Sequence, residues 1–381
     1  MQLEIGISLG NSREHIYRLA LHLRGLGLLK QVFSPMPSFL LDKSLRPESF
    51  PYFHFPYKAF ARLGIIKQSS LMDAKLNSIY DKWASSRLGQ VNCYIGKSGY
   101  SLKTGIAAKK RGALYICDRA STHILFQDEI LKQEYQRLGL EFAGIDKRAI
   151  GIELLEYETA DLIFVPTSFV KDTFIAKGVS DDKIRIINYG ADIELFKPGE
   201  RRNEKFIVLY VGAVSVRKGV VYLLQALEDI DLPDIELWLI GPVEKALVPI
   251  VGKYRDSFRF MGVKNKKELA TIYSGASILV QPSLEEGLSL VILESLSAGT
   301  PVIATENTGA GELFRDGEAG YIIKAREADE IREKVVHLYN NRNLVEEMGL
   351  KGREIAESHR KWSDYSKEVL RVIEESLAEH R

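Results

Sequence analysis

Short apolar runs of strand length recur along this chain with helix-length segments between them, and the series stops once and starts again. The first series holds Met1–Gly10, Asn92–Ile95, Leu114–Cys117, Leu162–Pro166 and Lys183–Ile187. At Phe196–Lys205 the composition turns charged and loses its apolar period. The second series holds Phe206–Val211, Ile235–Ile240, Phe258–Gly262, Ala276–Val280 and Val302–Ala304. Strands joined by helices run parallel, because the helix returns the chain to the end of the sheet it left. The expected class is α/β, with two Rossmann-like doubly wound domains over residues 1–197 and 203–360. A last helix over 361–381, apolar at Trp362, Tyr365, Val369, Leu370, Val372 and Ile373, can cross back to the first domain.

The 381 residues and 45% apolar content suit two or three domains with full cores. Fifty-two basic residues face fifty-one acidic ones, so bulk charge gives no case for nucleic acid and any anion site has to be local. Cys93 and Cys117 lie inside apolar strand-like runs and read as buried thiols, not as a metal or disulfide framework. Met1–Gly10 alternates like a strand and carries Glu4, unlike a signal peptide. With no apolar run near the ~20 residues of a membrane span, the expected setting is cytoplasmic. Residues 39–67 stand apart: Phe39, Phe50, Tyr52, Phe53, Phe55, Tyr57 and Phe60 are interleaved with Lys43, Arg46, Lys58, Arg62 and Lys67. Such a stretch can seat a peripheral contact with the inner face of a membrane, or a lipid-linked acceptor. The alternative, favoured by the lack of a clean amphipathic helix, is a loop whose aromatics pack back onto the core.

Chemistry-bearing residues collect where strands end, the edge at which open α/β sheets bind ligands. Gly10-Asn11-Ser12 opens the first helix and can receive a phosphate. Gly96–Gly99 and Asp118–His123 follow two further strands; His123 reads either as a structural histidine or as a cleft residue beside Arg119. Arg217-Lys218, framed by Gly212 and Gly219, sits between a strand and a helix, where two cations suit a diphosphate. Its spacing is not that of a P-loop. Glu286 lies in a loop and Glu294 in the helix that follows, ended by Gly299-Thr300-Pro301. A carboxylate beside a ribose accepts two hydroxyl hydrogen bonds, and the amides of Ser289, Leu290 and Val291 can face phosphate oxygens. Paired carboxylates also serve glycosidases, but those need neither the basic pair nor a phosphate-ready helix start. The combination favours a sugar nucleotide.

Glu286, seven intervening residues, Glu294 and then Ser295–Ala304 resemble the signature of the family 4 retaining glycosyltransferases of the GT-B fold. Gly212–Gly219, Asn188–Asp192, Phe196-Lys197-Pro198 and Gly309–Glu312 add to the resemblance, which covers most of residues 150–325. It implies two domains facing a cleft and no bound metal or cofactor, the donor being a UDP- or GDP-linked sugar. Carried over by position, Glu294 would hold the ribose, Lys218 the diphosphate and Glu286 the transferred sugar. His123 would stand on the acceptor side, Gly10 and Asn11 would meet phosphates, and the backbone near Val263 would meet the base. Three positions depart from the pattern: Ala213, Ser289 and Asn11, with Arg217 standing in for the charge missing at Ala213.

The implied activity is transfer of a hexose, with retention, to a hydroxyl acceptor such as a saccharide or lipid-linked saccharide in glycoconjugate or surface polysaccharide synthesis. Two other activities stay open: a sugar-nucleotide epimerase of the same fold, and a non-catalytic subunit that binds a sugar nucleotide. The literal Asp229-Ile230-Asp231 reads as a helix terminus and not as a metal motif.

Overall fold

The computed structural model describes residues 3–379 apart from 12, 14, 63–68, 200–204, 229 and 360. Ser12, Lys67, Asp229 and half of the charged break, residues 200–204, therefore lie outside the described residues. The first sheet holds β1 (Ile5–Ser8), β2 (Leu29–Ser34), β3 (Glu48–Ser49), β4 (Cys93–Lys97), β5 (Leu114–Asp118), β6 (Leu162–Val165) and β7 (Ile184–Ile186). Their order is β3-β2-β1-β4-β5-β6-β7, and every pairing is parallel. The second holds β8 (Phe206–Val211), β9 (Ile235–Ile240), β10 (Arg259–Phe260), β11 (Ile278–Gln281), β12 (Val302–Thr305) and β13 (Gly320–Ile323). It runs β10-β9-β8-β11-β12-β13, again all parallel.

Each order reverses once, between β1 and β4 and between β8 and β11. The helices leaving those neighbouring strands pass to opposite faces, so a crevice opens at their carboxyl ends. Both faces of the strands are covered, which is why β5 and β8 are buried along their whole length instead of alternating. Cys93 and Cys117 are buried and unpaired within this layer.

Two elements depart from the sequence reading. The first helix is shorter than the Arg13–Lys30 its periodicity suggests: it runs His15–Gly25, and Gly27 at φ 73° turns the chain into β2. Residues 39–67, expected to be irregular, contain the edge strand β3 and a helix at His54–Arg62. Phe50 stacks on Trp83 with ring centroids 5.0 Å apart, whereas Phe39, Tyr52, Phe55 and Phe60 stay exposed. The last helix, Trp362–Glu379, lays Tyr365, Val369, Val372 and Ile373 into the core beside the helix His15–Gly25.

The two domains are clasped along one side. Glu134, on the helix Ile124–Arg137, accepts from the Tyr222 hydroxyl (2.5 Å) and Arg326 Nε (2.7 Å). Thr167 Oγ1 donates to the Gly287 carbonyl at 3.0 Å, and the Ser168 amide to Glu312 at 2.7 Å.

Candidate active site

The carboxyl ends of the two sheets face each other across a cleft of about 540 Å³. The first domain contributes His15, Lys97, Ser98, Asp118 and Ser121; the second contributes Arg217, Lys218 and the run Glu286–Val291. Parallel pairing of β4 with β5 sets Lys97 opposite Asp118, so both stand at the same edge. A smaller cavity of about 180 Å³ adjoins, sharing His15 and Leu290 with the cleft and lined also by Arg18, Asp192, Lys266 and Glu294.

Arg217 and Lys218 are brought to the cleft by a single tight turn, Val216–Lys218, closed by Gly219 at φ 61°. A Cβ on Gly219 would lie 2.0 Å from the Pro282 carbonyl oxygen, so the loop approaches the end of β11 as closely as a backbone can. The Leu284 amide donates to the Arg217 carbonyl at 3.0 Å and ties the two loops together. Lys218 forms an ion pair with Glu286, and Arg217 Nη1 reaches Glu286 at 3.2 Å. Burial and the neighbouring Arg217 guanidinium, against the pull of Glu285, bring the Lys218 ammonium down to about 7.

The adjacent carboxylates Glu285 and Glu286 point to opposite tasks. Glu285, at 0% exposure, turns to the first domain and accepts from Ser121 Oγ, the Thr122 amide (3.1 Å), Thr122 Oγ1 (2.9 Å) and Gln127 Nε2 (3.1 Å). Burial alone would raise its carboxyl, but Arg217 and these donors outweigh burial and hold it below the usual range. Glu286 stays at the cleft and accepts from Ser283 Oγ at 3.1 Å.

Glu294 is the fifth residue of the helix Leu290–Ser297 and faces the smaller cavity. It accepts from the Tyr273 hydroxyl at 3.1 Å with Lys266 at 3.9 Å, and burial outweighs both, raising its carboxyl. At the start of this helix the Ser289 amide is already bonded to the Thr308 carbonyl at 3.0 Å. The amides of Leu290 and Val291, in the first turn, have no preceding turn to bond and stand at the cleft.

Three expected site residues lie elsewhere. His123 is buried, with its ring between Tyr157 and Phe174 at 5.1 and 4.9 Å. It caps the helix Ile124–Arg137, its Nδ1 accepting from the Leu125 amide at 3.2 Å. Burial, Arg119 and Lys177 lower its imidazole to about 4. Asn11 lines a different first-domain cavity, of about 430 Å³, with Met36, His54, Phe55 and Tyr100; Gly10 before it turns at φ 64°. Val263 is 73% exposed just beyond β10 and lines neither site cavity.

His15 escaped the sequence reading, and Asp118 entered it only as the first residue of the Asp118–His123 turn. His15 Nε2 and Asp118 Oδ2 are 2.6 Å apart, and the side chains are 2% and 6% exposed. They stand 103 positions apart in the chain. In the sequence His15 comes three positions after Gly10-Asn11-Ser12, and Asp118 opens the Asp118–His123 turn. Among the described residues, no group of three His, Cys, Asp or Glu could hold a metal ion, and no helix is long and apolar enough to cross a membrane.

Comparison with known proteins agrees with this geometry. Residues 192–355 match the family described as Glycosyl transferases group 1. The uncharacterized glycosyltransferase MJ1178 of Methanocaldococcus jannaschii is 33% identical over 168 residues, 44% of this chain and 47% of that protein. The capsular polysaccharide biosynthesis glycosyltransferase CapM of Staphylococcus aureus is 24% identical over 52% of this chain and 57% of its own. The chain thus spans about half the length of the curated relatives it matches. Sucrose-phosphate synthase of Thermosynechococcus elongatus superposes over 99% of both chains with a TM-score of 0.75 at 19% identity. Anabaena HepE, solved in complex with UDP-glucose, covers 99% of this chain and 100% of its own with a TM-score of 0.69 at 17% identity. The chain has the GT-B fold throughout, and residues 192–355, which hold most of its second domain, are similar to the group 1 glycosyl transferases.

Proposed function

We propose that the chain transfers a hexose, with retention, from a UDP- or GDP-linked donor to a hydroxyl acceptor in glycoconjugate or polysaccharide synthesis. The observation that carries this reading is the continuity of the two cavities: Glu294 and Lys266 in the smaller lead past His15 and Leu290 to Arg217 and Lys218 in the larger. That sequence of a carboxylate, then paired cations and helix-start amides, matches a ribose followed by a diphosphate. Glu294 accepts the ribose hydroxyls. Arg217, Lys218 and the amides of Leu290 and Val291 take up the charge that develops on the leaving diphosphate. As the diphosphate draws the two cations, Glu286 is released toward the hydroxyls of the transferred sugar. The acceptor attacks from the face the diphosphate leaves, since Glu286, the carboxylate nearest the cations, engages the hydroxyls of the transferred sugar and is not poised as a nucleophile. His123 has no part in this step.

The donor is tested by thermal shift with UDP-glucose, UDP-N-acetylglucosamine and GDP-mannose, because a ligand that binds only the folded state raises its stability by mass action. With the preferred donor, Lys218→Ala and Glu294→Ala are each expected to lower turnover at least about tenfold, ~1.4 kcal/mol in barrier. Wild-type rates in both variants would remove the site. The exposed aromatics Phe39, Tyr52, Phe55 and Phe60, with Lys43 and Lys58 nearby, support a peripheral membrane contact on the acceptor side. Co-sedimentation with anionic liposomes tests it, and no binding at low salt counts against it.

A further inference from the structure

We propose that the first-domain cavity beside the cleft binds the acceptor, as a neutral sugar joined to an apolar chain. The assignment rests on the glycosyl transfer proposed above and names the acceptor class for it. The cavity measures about 430 Å³, and its wall divides by chemistry. Asn11, His54 and Tyr100 make one part polar; Met36, Leu40 and Phe55 make another apolar.

The polar part borders the cleft. A Cβ on Gly10 would lie 2.7 Å from Lys97 Cδ and 3.5 Å from Tyr100 Cδ2. Lys97 lines the cleft and Tyr100 the cavity, so Gly10 lies between the two spaces. The apolar part continues outward: Phe39 meets Phe55 edge-on with centroids 6.1 Å apart, and both are exposed.

His54 shows which groups the cavity recognises. It is 1% exposed, and among the described residues its Nδ1 has no hydrogen-bond partner. Its Nε2 lies 2.9 Å from Asn77 Oδ1, a carbonyl oxygen that can only accept, so Nε2 carries the ring proton. Nδ1 is left as an acceptor. Burial lowers the imidazole, against the pull of Asn77, and keeps it neutral. A buried acceptor is costly unless a donor meets it, and a sugar hydroxyl is such a donor. Among the described residues, the one charged side chain in the lining, Lys58, is already paired with Asp73 at 2.8 Å. An anionic ligand would therefore find neither an uncommitted cation nor an N–H from His54. Hydroxyl recognition beside an apolar wall describes a glycoside with a hydrocarbon aglycone. The hydroxyl held by His54 keeps its proton, and the same ring presents another hydroxyl past Gly10 to the cleft. His54 is a specificity residue and takes no part in bond making.

The test is calorimetry on the full chain with octyl and methyl glycosides of glucose, galactose and N-acetylglucosamine, below micelle-forming concentrations, and with 1-octanol. At least one octyl glycoside is expected to bind at least about tenfold tighter than its methyl counterpart and than 1-octanol. His54→Gln keeps an N–H for Asn77 but lacks the Nδ1 acceptor. It is expected to weaken that binding at least about tenfold, while the melting shift produced by the sugar nucleotide stays near wild type. Phe55→Ala, at a 44% exposed position, is expected to remove the advantage of octyl over methyl, and it decides should the His54 variant not fold. Equal affinity for octyl glycosides and 1-octanol, or wild-type binding in either folded variant, overturns the assignment. So does the absence of glycoside binding in a chain whose melting temperature rises with UDP-glucose, UDP-N-acetylglucosamine or GDP-mannose. A chain that responds to none of the three donors overturns the proposed transfer, and the acceptor assignment with it.

Discussion

Lys218 shows how a site can hold a cation where burial disfavours one. Burial and Arg217 push its ammonium down, Glu285 pulls the other way, and the resulting value near 7 places its titration within the working range. The sign follows directly: a base whose proton affinity is lowered is charged below about pH 7 and neutral above it. A diphosphate binds the charged form. Affinity for UDP-glucose, which has no phosphate titrating near neutrality, is therefore expected to fall as pH rises from about 6 to 8.5. Calorimetry should also show proton uptake on binding near pH 7. Lys218→Met should bind more weakly and lose both the pH dependence and the uptake; an unchanged profile in that variant would assign the titration to another group.

The helix Ile124–Arg137 works at a larger scale. Its first turn is fixed by His123 and its last by Glu134 and Tyr135, which bond to Tyr222, Arg326 and Glu244 of the second domain. The histidine that the motif placed at the acceptor is a helix cap, because the chain after β5 turns His123 inward against Phe174. Its imidazole resists protonation until about pH 4, whereas in the unfolded chain it takes a proton near 6.5. As pH falls through that window the unfolded state gains protons that the folded state refuses, so stability is lost. His123→Asn keeps a capping acceptor and removes the titration. Thermal midpoints at pH 7 and pH 5 should therefore lie closer together in the variant than in the wild type, and an equal gap would exclude His123 as the source.

For the whole molecule, the loop Glu285–Gly287 joins the reaction site to the clasp between domains. Glu285 enters the first domain, Glu286 faces the cations, and a Cβ on Gly287 would lie 2.0 Å from the Ala120 carbonyl oxygen. Neither backbone has a flexible atom to move there. Gly287→Ala is expected to part the domains at this point and weaken donor binding at least about tenfold. Small-angle scattering should show a larger radius of gyration. An unchanged radius and affinity would mean that the loop shifts within the second domain instead.

Periodicity determined the architecture of this protein before any contact was known. Strand-length runs joined by helices force parallel sheets, and parallel sheets gather every loop after a strand at one edge. Arg217, Lys218, Glu286 and Glu294 were legible for that reason, since each lies in or just beyond a strand-to-helix turn. β2, β3 and β13 were not: Leu29 follows a helix with only three residues between them, β3 is two residues long, and Gly320–Ile323 stands outside the second series of strand-like runs.

What the tertiary structure alone decided is the direction of each side chain within those loops. Glu285 and Glu286 are chemically identical neighbours; the spacing to Glu294 marks Glu286 for the site, but only the donors arriving from Ser121, Thr122 and Gln127 give Glu285 its place in the clasp. His15 and Asp118 meet across 103 positions because β1 and β5 both flank β4. Asn11 turns to a neighbouring cavity and His123 to the core. Local pattern sets where a strand ends; the partners of a loop residue come from distant elements, and a periodicity of two or 3.6 residues carries no record of them.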